Sequence, residues 1–233
     1  MNDILTLDGS FTQKLRCYCR YNIFLLIRDN MEEFLIITDV IGIISFTISG
    51  FLIAVYYKFD LVGIFISSVL TALGGGIIRD GMIGEMPFVF THDYPFYVIV
   101  FTIIMMMIFK IHKIKEIESH FLYVLSDAIG LVAFSIMGTL IAIREEVNLL
   151  GTLMISLLTA VGGGSVRDII MNKIPFFMSK DFYAVIAIFI AIFLYFLNKF
   201  IPITLFIIIV TFIFFLIIRL WAYYKKWYVP FLH

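Results

Sequence analysis

The chain has 233 residues, of which 62% are apolar and 15% charged, and its 17 basic and 17 acidic side chains cancel. Soluble domains are about 45–50% apolar and about 25% charged, so a water-soluble globular fold is excluded. The balanced charge argues against a nucleic-acid binder, which carries a basic stripe, and the 17% aromatic content argues against disorder.

What remains is an integral membrane protein, and its elements follow from the apolar runs. Residues 1–33 differ from the rest, being mixed in charge, with one short apolar run from Ile23 to Ile27. They read as a flexible or interfacial tail, with Met31 as an alternative start. Cys17 and Cys19 form an isolated C-x-C in this tail, with no further Cys or His beside them. They are read as free thiols, not a metal site.

A bilayer core about 30 Å thick takes roughly 20 apolar residues per helix. The runs predict spans at Phe34–Tyr57, Leu61–Asp80, Pro95–Phe109, Phe121–Ile143, Leu149–Met171, Phe182–Leu197 and Ile203–Ile218. Membrane β-strands alternate polar and apolar residues, and these runs do not. The expected fold is an all-α integral membrane protein with seven transmembrane helices. Its parts are the tail 1–33, a three-helix unit 34–110, a second unit 121–198, a seventh helix at 201–222 and a tail 223–233.

Lys58, Lys110, Lys113, Lys115, Lys173, Lys180, Arg219, Lys225 and Lys226 fall on the side of the C-terminus. Lys14, Arg16, Arg20, Arg28, Arg144 and Lys199 fall on the other side. The positive-inside rule then predicts a cytoplasmic C-terminus and an outward N-terminus.

The two units are copies of each other at a constant offset of 88 residues. Asp39, Gly42, Phe46, Gly50 and Ala54 return as Asp127, Gly130, Phe134, Gly138 and Ala142. Gly74-Gly75-Gly76-x-x-Arg79-Asp80 returns as Gly162-Gly163-Gly164-x-x-Arg167-Asp168, Pro87-Phe88 as Pro175-Phe176, and Asp93 as Asp181. Between 39 and 93, 23 of 55 ungapped pairs are identical. Three spans per copy is an odd number, so the second copy is expected upside down relative to the first, the inverted repeat of many transporters. The seventh helix has no counterpart and is expected at the periphery, facing lipid.

Glycines in a helix interior cost roughly 1 kcal/mol each relative to alanine. Gly74–Gly76 and Gly162–Gly164 therefore need a reason. Either the helices kink there beside a hydrated path, or the glycines let two helices approach closely; both readings stand. Arg79, Asp80, Arg167 and Asp168 follow at helical spacing, either facing the protein interior or snorkelling from span ends. Topology puts Asp39 on the side of Arg79 and Asp127 on the side of Arg167, predicting one contact at each mouth of a path. Ser68, Thr71, Ser156 and Thr159 either line that path or bond their own helices. No protease, nucleotide-loop or hydrolase motif is present, and no enzyme activity, cofactor or metal is expected.

With these residues in hand, the chain resembles the bacterial trimeric intracellular cation channel family, whose domain has also been labelled a glycine-transporter domain. The resemblance covers about residues 34–218 and rests on both Gly-Gly-Gly-x-x-Arg-Asp motifs. It implies homotrimers in the bacterial inner membrane, surrounded by lipid. It also implies a pore in each protomer between glycine-kinked helices two and five, passing monovalent cations, chiefly potassium. The alternative is a secondary transporter of a small amino acid such as glycine, because an inverted repeat serves alternating access equally well.

Overall fold

The structure is a computed structural model that describes residues 34–109, 121–175 and 183–225. The tail with Cys17 and Cys19, and the repeat positions Phe176 and Asp181, lie outside the described residues. The described residues form helices and no strand. The helices are α1 (Phe34–Tyr56), α2 (Leu61–Ile83), α3 (Tyr94–Ile108), α4 (Phe121–Arg144), α5 (Leu149–Ile170), α6 (Tyr183–Phe200) and α7 (Leu205–Tyr224). Six of them are long and apolar enough to cross a membrane, and α3, with 15 residues, is shorter. This is an all-α integral membrane protein.

Helix ends are set by local chemistry rather than by where apolar residues stop. α2 was expected to end at Asp80 and runs on to Ile83. It closes at Gly84, whose φ of 84° is left-handed, with the Gly84 and Glu85 N–H groups both on the Asp80 carbonyl at 3.0 Å. At the matching place in the second copy, Asn172 takes φ 54° and the Lys173 N–H reaches the Asp168 carbonyl at 2.8 Å. α7 ends six residues beyond the expected Ile218, at Tyr224, and takes Arg219 into the helix.

The loops repeat as faithfully as the helices. Lys58 and Glu146 are both left-handed, with φ of 57° and 53°. Asp60 caps α2 by accepting the Gly63 N–H at 2.8 Å, and Asn148 caps α5 through the Gly151 N–H at the same distance.

α4 is the most enclosed helix, packing against α5, α6 and α7. The two copies meet through reciprocal contacts. The Phe46 and Phe134 rings pack edge-on at 5.1 Å between centroids. Phe134 lies on Gly42 and Phe46 on Gly130, where no Cβ fits. Contacts that survive exchange of the partners are what a local two-fold relation produces. α7 lies outside this arrangement. Its inward stripe is Ile208, Thr211, Phe215, Arg219 and Ala222, at spacings of three and four, while Phe206, Val210, Ile213, Phe214 and Ile217 face outward.

Candidate functional site

The site is built on the seam between α2 and α5, which pack extensively against each other. Both helices run unbroken through their glycine triplets. Close approach is what the glycines do in this conformation. A Cβ on Gly75 would collide with the Thr159 carbonyl, and one on Gly163 with the Thr71 carbonyl. Gly162 lies at the same crossing, where a Cβ would stand 3.0 Å from the Gly75 Cα. Gly74 meets Gly163 in the same way at 3.3 Å. Gly76 and Gly164 sit one turn before the arginines, below the Arg79 and Arg167 guanidinium groups respectively.

The four hydroxyls near the seam are fully buried. Ser68 donates to the Ile64 carbonyl at 2.8 Å, while Thr71 and Thr159 donate at 2.6 Å to Ser67 and Ile155. Ser156 instead crosses to α4, donating to the Ser135 carbonyl at 3.0 Å. In this conformation their protons are engaged by backbone.

At one end of the seam stand Asp39, Arg79 and Asp80. None snorkels; Arg79 is 3% exposed. Its guanidinium folds back onto its neighbour, with Nη2 at 2.7 Å from Asp80 Oδ1, and its Nη1 reaches Met137 Sδ at 3.3 Å. The second Asp80 oxygen accepts the Phe88 N–H at 2.8 Å, which fixes the short 3-10 turn Phe88–Phe90. Asp39 is engaged by the Tyr94 hydroxyl at 2.6 Å and forms no ion pair with Arg79. The expected Asp39–Arg79 pair is thus replaced by a tyrosine contact, from Tyr94 at the start of α3.

At the other end, Arg167 is 1% exposed and is engaged by Asp168, Asp127 and Ser49. Nη2 meets Asp168 Oδ1 at 2.8 Å, Nη1 meets Asp127 Oδ1 at 3.4 Å, and Nη1 donates to Ser49 Oγ at 2.6 Å. The Tyr123 ring lies 5.5 Å from the guanidinium, and Tyr183 hydrogen-bonds to Asp127. Here the expected Asp127–Arg167 contact is made.

A cleft of about 270 Å³ opens onto Arg79 and Asp80, with Glu85, Met86, His92, Tyr94 and Arg144 around it. A small cavity of about 20 Å³, room for about one water, leads from Asp39, Arg79 and Asp80 to Gly76 and Phe134.

Comparison with known proteins now decides the family. A family model described as "Glycine transporter" matches twice, over residues 36–113 and 124–199. The UPF0126 membrane protein YvgT of Bacillus subtilis is 34% identical over 147 residues, covering 63% of this chain and 72% of that protein. A structure described under conductance through TRIC cation channels is 31% identical, with a TM-score of 0.73, covering 84% of this chain and 96% of that one. A prokaryotic TRIC channel in 0.5 M KCl is 26% identical, with a TM-score of 0.75, covering 84% and 98%. The chain belongs to the trimeric intracellular cation channel, or TRIC, family.

Three features of this TRIC-family chain escaped sequence reasoning. Tyr94 and Tyr183 stand near span ends in the sequence, yet both turn inward to the aspartates. Each arginine crosses to the first helix of the other copy, Arg79 to Met137 and Arg167 to Ser49, at positions that are themselves 88 apart. Arg219, counted among flanking charges, is 2% exposed and faces the Tyr183 ring at 4.8 Å. Its signal was present in the apolar Leu220-Trp221-Ala222 that continues the span beyond it.

Proposed function

We propose that this protein is a passive channel for monovalent cations, chiefly potassium, with one path in each protomer along the α2–α5 seam. The observation that carries it is the pairing of two buried Arg–Asp clusters at opposite ends of a seam held together by glycine backbone. Ionisable groups inside a membrane protein are costly and mark ion pathways. The seam is the place where small sliding of two helices opens a path, because backbone meets backbone at Gly75 and Gly163 and only Val166 and Ile78 pack onto the neighbouring glycines. Gly74–Gly76 and Gly162–Gly164 are the bending points, Asp39, Arg79, Asp80, Asp127, Arg167 and Asp168 flank the mouths, and Ser68, Thr71, Ser156 and Thr159 face the path once it opens.

The similarity to TRIC channels supports cation conduction and a homotrimer. The sequence copies 34–110 and 121–198 are read as inverted repeats. The Lys and Arg distribution supports a cytoplasmic C-terminus, which puts the Asp39–Arg79–Asp80 cleft outside. Purified protein in planar bilayers under a potassium gradient tests the reading. Unitary currents reversing near the potassium potential are expected. Silent bilayers combined with saturable, ion-coupled glycine uptake by liposomes would establish the transporter reading instead.

A further inference from the structure

Seven charged side chains are buried among the described residues: Asp39, Arg79, Asp80, Asp127, Arg167, Asp168 and Arg219. Six are three pairs related by the 88-residue offset. Arg219 is the seventh, and it sits on α7, which has no copy. The duplicated residues alone give each cluster two carboxylates against one guanidinium. Arg219 adds a second cation at the α5 end and makes that cluster formally neutral, while the α2 end keeps an excess carboxylate.

The placement of Arg219 ties it to this cluster. Its Nε and Nη1 are buried without a hydrogen-bond partner, so its charge is balanced by what surrounds it. Its guanidinium lies 4.8 Å from the centre of the Tyr183 ring. The Tyr183 hydroxyl is hydrogen-bonded to Asp127. Tyr183 thus bridges Arg219 to the carboxylates, and its hydroxyl would stand 3.8 Å from a Cβ on Gly164, at the end of the glycine seam. Buried cations are costly unless countercharge is close, and Asp127 is the carboxylate this bridge supplies.

We infer that Arg219 is a specificity-determining residue: it cancels the excess negative charge of the α5-end cluster and so lowers cation capture from that side. The α2 end, with its surplus carboxylate, is then the favoured side for cations to enter. This inference rests on the channel reading above. A cluster of one charge sign in a low-dielectric cleft concentrates counter-ions, and Arg219 suppresses this at one end. The path is therefore asymmetric although its two halves are copies.

The test is the ratio of currents at equal and opposite voltages, in patches of known sidedness excised from spheroplasts, for the full-length protein in symmetric potassium chloride. Arg219→Met is expected to raise the current carried by cations entering from the α5 end by at least about two-fold at low salt, with the gain fading at high salt. Arg219→Lys, which keeps the charge and loses the planar face, is expected to restore the wild-type ratio. Should the Met variant not fold, Arg219→Gln carries the same test. A wild-type ratio in the neutral variant overturns the inference, as does a Lys variant that behaves like Met, since packing against Tyr183 would then be the whole role. A wild type that passes no current overturns the channel reading itself, and this inference with it.

Discussion

Arg167 donates to Ser49 at 2.6 Å, so the buried cation of one copy is held by the first helix of the other. At the related position Arg79 finds Met137, a thioether 3.3 Å away. The same cross-copy reach thus ends in a good acceptor once and a weak one once, and the two halves are locked together unequally.

Ser49→Ala leaves a buried guanidinium hydrogen without its oxygen, which costs about 1–3 kcal/mol. Met137→Leu keeps the volume and gives up a weak acceptor, and is expected to cost under about 1.5 kcal/mol. Thermal melts of detergent-solubilised protein decide this. Equal losses would mean that Arg167 is held by its carboxylates alone.

The glycine seam makes a sharper contrast. Gly75→Ala and Gly163→Ala drive a methyl group into the carbonyls of Thr159 and Thr71. The helices must separate, at a cost of about 1–3 kcal/mol. Gly81→Ala, in the same α2 helix but with nothing within 4 Å of its Cβ, is expected to be neutral or to stabilise by up to about 1 kcal/mol. Gly75→Leu and Gly163→Leu should reduce potassium flux per folded protein more than they reduce the yield of folded protein.

Sidedness can be read chemically. With Cys17 and Cys19 replaced by Ser, Met86→Cys lies at the cleft and Asn172→Cys beyond the end of α5, both at exposed positions. A membrane-impermeant maleimide added outside spheroplasts should label Met86→Cys, and should reach Asn172→Cys only after permeabilisation. Ala133→Cys, at a fully buried position outside the path, should stay unlabelled in both. The reverse pattern for the first two overturns the orientation drawn from the Lys and Arg count.

Much of this architecture was legible because two signals do not depend on partners. Apolar run length reports a span, and the 88-residue identity reports a copy. Partner choice was less legible. Residues i and i+1 on a helix do not face each other, so Arg79 was assigned to Asp39 across the bundle. In the structure its side chain curls back to Asp80, because burial leaves that carboxylate as the near countercharge and Tyr94 occupies Asp39. Tyrosine near a span end reads equally as an interface anchor or an inward donor, and only the placement of α3 and α6 chose. Arg219 was missed because charge counting treats each Lys or Arg near a span end as solvated.

The α5-end cluster offers a final test, in which charge balance and not contact number sets stability. Arg167→Met leaves Asp127 and Asp168 facing one another with Arg219 as the remaining buried cation, and breaking such a buried pair costs about 3–5 kcal/mol. Adding Asp168→Asn removes the one carboxylate that Arg219 leaves uncompensated. The double variant is therefore expected to be more stable than Arg167→Met alone, with a coupling of about 1–3 kcal/mol. Asp168→Asn by itself leaves Arg167 with Asp127 at 3.4 Å and Ser49 at 2.6 Å, so its cost should be the smaller of the two single changes. A double-mutant cycle on melting temperature measures all three. Simple additivity would mean that Arg167 and Asp168 do not share one charge balance, and that their 2.8 Å contact contributes nothing beyond packing.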